Sequence, residues 1–369
     1  VTDMFAACPD IPIVVLPANN LVRAAARPAE RVETALTAAI EQLTHLHAAL
    51  LDPQGASPAA TAAMDAAVEG VGRLAAEARV APMDAAALTP IVPNHEYFGV
   101  RTAPIDDARL VSEVTTIVAR ALTDLRVARL DLNDQAAVVL SMVRILRGLL
   151  AADGSPAAPS PTGEDAAEVD APYSVGSDEL TRWVITHHFY FVLNLAAADA
   201  VSRAITALKA LDRDTALAAV EEAIVLVRGF TAAMLHSGDM SAACYGAVVR
   251  PTMAAPACPV ALTGRTQPEH KAFRKAMRNL IKVSAEPFAK LAAADPELAA
   301  ARDALLEADL QDIEKHVIIT AKLVGDDRSI VQGEDSESAI AVLRTMRHAR
   351  AESYRDLMRF GDTVTLIGG

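Results

Sequence analysis

The side chains with the most chemistry to offer in this sequence are its nine histidines, since imidazole titrates near neutrality and is a common metal ligand. His187 and His188 follow Trp183 in the apolar run RWVITHHFYFVLNL. Successive helical positions point about a hundred degrees apart, so at least one of these rings must be buried. A buried imidazole needs a partner, either as a hydrogen-bonded core residue or as part of a cofactor pocket. His316 lies in DLQDIEKHVIITAKLVGDD, whose apolar stripe runs through Leu306, Leu310, Ile313, Val317 and Val324. Its row includes Ile313 and Thr320, which points the ring along the buried edge. With no acidic residue expected on that apolar side, His316 suits axial ligation of a haem better than a carboxylate-rich iron site. His45 and His47 lie two apart and face different ways, and His348 sits among Arg344, Arg347 and Arg350; neither setting suggests chemistry.

Several other chemistries lack their residues. No HExxH, no paired Glu-x-x-His motifs and no CxxC occur, which removes zinc peptidases, ferritin-like di-iron sites and structural zinc. Neither GxGxxG nor GxxxxGK[ST] follows a strand, so a nucleotide site is disfavoured. The net charge is -13 with basic residues scattered among acidic ones, which argues against nucleic acid as a partner. Cys8, Cys244 and Cys258 have neither zinc spacing nor disulfide density, and a reducing cytoplasm fits them best. The opening VTDMFAACPDIPIVVLPANN reads poorly as a signal peptide, and no segment is expected to span a membrane.

The elements that must position these residues are helices. Apolar residues make up 52% of the 369 residues and aromatics 4%, with Ala, Leu and Val prominent, so the expected class is all-α. Val32, Leu36, Ile40, Leu43 and Leu46 form one apolar face over 28–50, and further helices are expected over 58–79, 106–127 and 131–151. Between them, PNHEYFGVRTAP (93–104) reads as an aromatic loop. Residues 152–177 combine Pro, Ser, Gly and acid without periodicity and read as a flexible connector. It divides an N-terminal helical region (1–151) from a second one (178–369), the two packing as one domain. In the second, a helix runs from Glu179 to about 210, and Asp212 or Asp214 opens another to about Leu235. The Gly- and Pro-rich stretch 236–268 ends the helical pattern. Pro268 starts a helix, Asp295-Pro296 opens one to about 324, and a last covers roughly 336–358. The amphipathic helices are compatible with a homodimer, but no heptad pattern names an interface.

Several short strings now fall in a familiar order. They are Arg182-Trp183-Val184 with His187-His188, Gly238-Asp239, Val249-Arg250-Pro251-Thr252-Met253, the Gly264 to His270 segment, and His316 followed by Val324-Gly325-Asp326, Ser329 and Gln332. Asn94 with Phe98-Gly99-Val100-Arg101-Thr102 matches in the first half. In these strings the sequence resembles the haem-dependent 3-methyl-L-tyrosine hydroxylases of saframycin-type antibiotic pathways, relatives of the tryptophan 2,3-dioxygenase-like helical haem proteins. The resemblance implies a large helical bundle enclosing a haem held between His316, as proximal ligand, and His270. It also implies a cysteine four positions after the proximal histidine, forming a thioether to haem. Thr320 stands there, so the expected cofactor is non-covalent haem b.

The activity implied is hydroxylation of the ring of L-tyrosine, or a methylated L-tyrosine, with hydrogen peroxide at the iron. His270 is expected to act in acid–base catalysis opposite the proximal ligand, with His95 as a second candidate. Trp183, His187, His188 and Thr320 would line the cofactor. Arg101, Arg182 and Arg250 are candidates to clamp a substrate carboxylate, and Phe98, with Tyr97 and Phe189, to wall an aromatic ring. The alternatives are a haem oxygenase acting on another aromatic amino acid or an indole, a non-enzymatic bis-histidine haem binder, and a helical interaction protein without cofactor.

Overall fold

The computed structural model describes residues 13–17, 27–52, 58–81, 83–84, 88–150, 179–253, 258, 262, 264–325, 338–361 and 363. Cys8, the 152–177 connector, Asp326, Ser329 and Gln332 lie outside the described residues.

Among the described residues the architecture is helical, with one two-stranded exception. The first half contributes β1 (Val14–Pro17), α1 (Glu30–Leu50), α2 (Pro58–Glu77), α3 (Pro93–Tyr97), β2 (Val100–Ala103), α4 (Asp107–Leu125) and α5 (Leu132–Leu150). The second contributes α6 (Glu179–Lys209), α7 (Arg213–Ser237), α8 (Ala242–Cys244), α9 (Pro268–Val283), α10 (Phe288–Ala294), α11 (Pro296–Leu323) and α12 (Ala339–Tyr354). Asp106, Asp212, Asp295 and Ser338 cap α4, α7, α11 and α12, each side-chain oxygen accepting from the backbone N–H three residues on.

Helix α6 is the axis of the molecule. Every residue from Val184 to Leu195 is buried, which a one-sided apolar stripe could not achieve. It packs on α7, α9 and α4, while α5 and α11 pack on α7 and α1 pairs with α2 and α5. The hydrophobic core is continuous from β1 to the residues just after α12. The approach of α7 to α5 depends on Gly229, where an added methyl would lie about 2.4 Å from Ser141 Cβ.

Three expectations need correction. The 93–104 segment is a helical turn, α3, followed by β2, which pairs in parallel with β1 in the register Val14 with Val100. Gly99 joins them at φ +63°, a left-handed conformation that glycine adopts without a Cβ penalty. The 236–268 region retains helical backbone, since α8 runs into a π-turn over Tyr245–Val249 and a 3₁₀ turn over Arg250–Met253. Finally, α6 is long and apolar enough to cross a membrane by length and composition, because burial on all sides selects the same residues; 67% of its most apolar stretch is buried inside the protein.

Candidate functional site

The site forms where α6, α9 and α11 present histidines to one another. His316 is on α11, one turn after Asp312 and one turn before Thr320. Its Nδ1 lies 2.7 Å from the Asp312 carbonyl oxygen. A carbonyl can only accept, so Nδ1 carries a hydrogen, and in the neutral ring Nε2 is the nitrogen that keeps a lone pair. His187 on α6 repeats the device, its Nδ1 lying 2.6 Å from the Trp183 carbonyl. His270, at the start of α9, has Nδ1 3.5 Å from the Tyr190 hydroxyl, at the limit of hydrogen-bond reach.

These side chains lie within electrostatic reach of one another. Burial pushes His270 down to about 4, with His316 adding to the fall and Asp312 opposing it. Burial also takes His187 to about 4, again with a contribution from His316. His316 moves the other way: burial opposes its charge, but the adjacent Asp312 carboxylate outweighs burial and raises its pKa. The Asp312 carboxylate also lies 3.2 Å from the Thr231 hydroxyl.

This corrects the expectation that no acid lies on the apolar side of His316. Asp312 is buried one turn before it, with Oδ1 3.4 Å from Nδ1, and Asp309 is fully buried a further turn back. In the sequence both looked like solvent-facing acids, because the helices that cover them are distant in the chain. Among the described residues, no group of three His, Cys, Asp or Glu side chains could hold a metal ion by itself.

One wall is aromatic. Phe98 stacks on His187 at 4.4 Å with planes 15° apart, Trp183 lies 4.3 Å from the same imidazole, and Tyr245 lies 6.0 Å from Trp183. Phe189 is buried in the core instead. Tyr97 edges against Phe98 and lies 2.6 Å from Thr252, whose hydroxyl also bonds the Val249 carbonyl, so the aromatic turn and the turn carrying Arg250 are joined. Burial pushes the Tyr245 phenol up to about 12, with the Arg250 charge opposing the rise, so Arg250 lies close to the aromatic wall. The π-turn between these two residues is a backbone form concentrated at functional sites.

Other residues singled out in the sequence have their polar atoms engaged elsewhere. His188 Nε2 is 2.5 Å from the Phe98 carbonyl oxygen, so its ring pins the aromatic turn to α6 rather than lining a cofactor space. Burial pushes its pKa down to about 3. Arg182 donates Nε to Asp124 Oδ2 at 2.8 Å and Nη1 to the Asp239 carbonyl at 3.0 Å, while Asp124 also accepts from His236 at 2.7 Å. That buried pairing gives Arg182 structural partners on α4 and at Asp239, which explains why Gly238-Asp239 accompanies it. Arg101 donates to the carbonyl of its neighbour Val100. His95 is fully buried, not an exposed turn residue, with Nε2 2.9 Å from Glu269 Oε1. Thr320 is buried on the His316 face of α11 and offers no sulfur.

Sequence reasoning missed Tyr190, Asp312 and Thr231. The spacing of Asp312 four residues before His316 was the available signal for this acid. Nothing local marked the other two.

Among the described residues, fold and site together define a largely helical protein with a site of imidazoles and aromatic rings. Residues 20–301 match the family described as SfmD 3-methyl-L-tyrosine peroxygenase, and the chain belongs to that family. A curated relative, the 3-methyl-L-tyrosine peroxygenase of Streptomyces lavendulae, is 31% identical over 181 residues, 48% of this chain and 47% of that protein. The alignment therefore spans about half the length of the curated relative. A solved structure of reduced SfmD, obtained by soaking with sodium hydrosulfite, is 19% identical with a TM-score of 0.49, covering 83% of this chain and 97% of that chain. His270 falls inside the family match and His316 beyond it.

Proposed function

We propose that this chain is a haem-dependent peroxygenase that hydroxylates the aromatic ring of L-tyrosine, or of a methylated L-tyrosine, in cytoplasmic natural-product biosynthesis. The family membership supports the reaction class. The observation that carries the cofactor is the His316 hydrogen bond to the Asp312 carbonyl, which assigns the hydrogen of the neutral ring to Nδ1 and leaves Nε2 as the nitrogen that would meet iron. Residues of this kind fit a haem, since an imidazole fixed through Nδ1 is the usual form of an axial ligand. Thr320 in place of a thioether cysteine supports a non-covalent haem b.

A bound haem supplies the chemistry that activates the oxygen of hydrogen peroxide. The chain's own residues do the rest. Asp312 supports the His316 ring through its carbonyl and charge, raising the basicity of the ligand. His270 is held neutral by burial and can take a proton at its imidazole. Phe98 and Trp183, with His187 between them, would offer an aromatic wall to a phenol ring, and Arg250, near Tyr245, is our candidate to pair with the substrate carboxylate.

Absorption spectra of the purified, haem-supplied protein test this reading. Loss of haem in His316→Ala and an altered spin state in His270→Ala are expected, together with peroxide-dependent catechol formation by the native protein. Unchanged spectra in both variants would remove the ligand assignments, and haem binding without turnover would leave a bis-histidine carrier.

A further inference from the structure

The helices bearing His270 and His316 do not rely on each other for packing: α9 lies mainly on α6, and α11 mainly on α7 and α12. A direct bond between them is made by side chains. Arg274, one turn after His270, places Nη1 2.6 and 2.8 Å from the two carboxylate oxygens of Asp309 on α11. Asp309 precedes His316 by two turns on the same helical face. A third helix closes the junction. Arg350 Nη1 on α12 lies 3.0 Å from Asp309 Oδ1 and 2.9 Å from the Asp309 carbonyl, and the Tyr354 hydroxyl donates to Oδ2 at 2.6 Å.

From this geometry we infer that Asp309 is a positioning residue, setting how the His270 imidazole faces that of His316. The inference rests on the assignment of these two histidines as haem ligands. Asp309 has no solvent-accessible side chain, and a carboxylate so buried is a poor choice for stability alone, since well-packed apolar residues of similar volume often serve as well or better. What the carboxylate adds is direction. Each oxygen is shared by donors from two helices, so α12 holds the carboxylate in place while sliding α9 along α11 breaks both charge-assisted Arg274 bonds together. The far side of the junction is also fixed, because Arg274 lies over the Phe273 ring, which packs edge-on against Phe230 of α7. Asp309 and Arg274 each stand at a whole number of turns from a histidine, so displacement of this junction is transmitted along two stiff helices to the imidazoles.

The test compares haem-loaded native protein with Arg274→Lys, Asp309→Asn, Tyr354→Phe and His270→Ala by ferric absorption and electron paramagnetic resonance, with haem stoichiometry and Tm measured on the same samples. Arg274→Lys keeps the charge but loses the planar guanidinium, and should convert about half of the His270-dependent ferric signal to the His270→Ala form at unchanged haem stoichiometry. Asp309→Asn should convert more of it, and Tyr354→Phe less. A purely structural junction would lower Tm and leave the spectrum of the haem-loaded fraction native. Native spectra in folded Arg274→Lys and Tyr354→Phe, alongside a shifted His270→Ala, overturn the positioning role even if Asp309→Asn fails to fold. A native spectrum in His270→Ala overturns the ligand assignment itself.

Discussion

His188 donates its Nε2 hydrogen to the carbonyl oxygen of Phe98, 2.5 Å away and 90 residues earlier in the chain. The next ring back, His187, stacks on the Phe98 side chain and couples to His316. Two adjacent histidines thus hold the backbone and meet the ring of one residue. His188→Ala should lower stability by about 1–3 kcal/mol, because a buried carbonyl loses its donor, while the haem spectrum stays native. His187→Ala should perturb the spectrum. Paired melting curves and absorption spectra separate the two, and a displaced spectrum in His188→Ala alone would reverse the assignment.

The arginines should divide in the same way. Arg182→Gln leaves Asp124 short of a buried charged partner, which typically costs about 3–5 kcal/mol, so Tm should fall sharply. Arg250→Gln should raise the KM for the amino acid about tenfold or more, with a smaller change in kcat. Steady-state kinetics on both variants check this. A native KM in Arg250→Gln would move the carboxylate clamp elsewhere.

Acid sensitivity follows from Asp124. Burial opposes its ionisation, but hydrogen bonds and charges from His236 and Arg182 outweigh burial and hold its carboxyl below the ordinary 3.8. The unfolded chain therefore takes up this proton first. The stabilisation is fully present above about pH 4 and is lost as pH falls through the lower, folded value. In Asp124→Asn this dependence disappears, so the Tm gap to the native protein should be widest near pH 6 and narrow by about pH 3. A constant gap across that range would show that the pair carries no such linkage.

Thr320 stands where the resemblance places a thioether cysteine, and its side chain cannot form that bond. Acidified organic solvent should extract all haem, and a denaturing gel of native protein should show no haem stain on the polypeptide. Persistent stain would require attachment at another residue.

The helices were legible because their apolar residues recur at helical spacing and their starts carry caps, as Asp212, Asp295 and Pro268 show. The β1–β2 pair was not. VVLP and VRTA are each too short to display alternation, and their pairing depends on a contact across more than eighty residues. Within the site, His187 and His316 stood out as imidazoles on apolar helical faces. The burial of Asp309, Asp312 and His95 did not, since each is enclosed by partners from another helix: Arg274 and Arg350, Thr231, and Glu269. The Asp124 partner of Arg182 was not legible either, because a guanidinium in a short matching string looks the same whether it binds a ligand or a buried carboxylate.

The junction at Asp309 also bears on the order in which the chain can assemble. A growing chain is made from its N-terminus, and Arg350 and Tyr354 follow Asp309 by 41 and 45 residues. Until they emerge, the carboxylate has only Arg274 to meet it, and burying it with half its donors missing is unfavourable. The wall between α9 and α11 is therefore expected to close only once α12 is present, and a pigment offered to a polypeptide lacking α12 should meet an open seam.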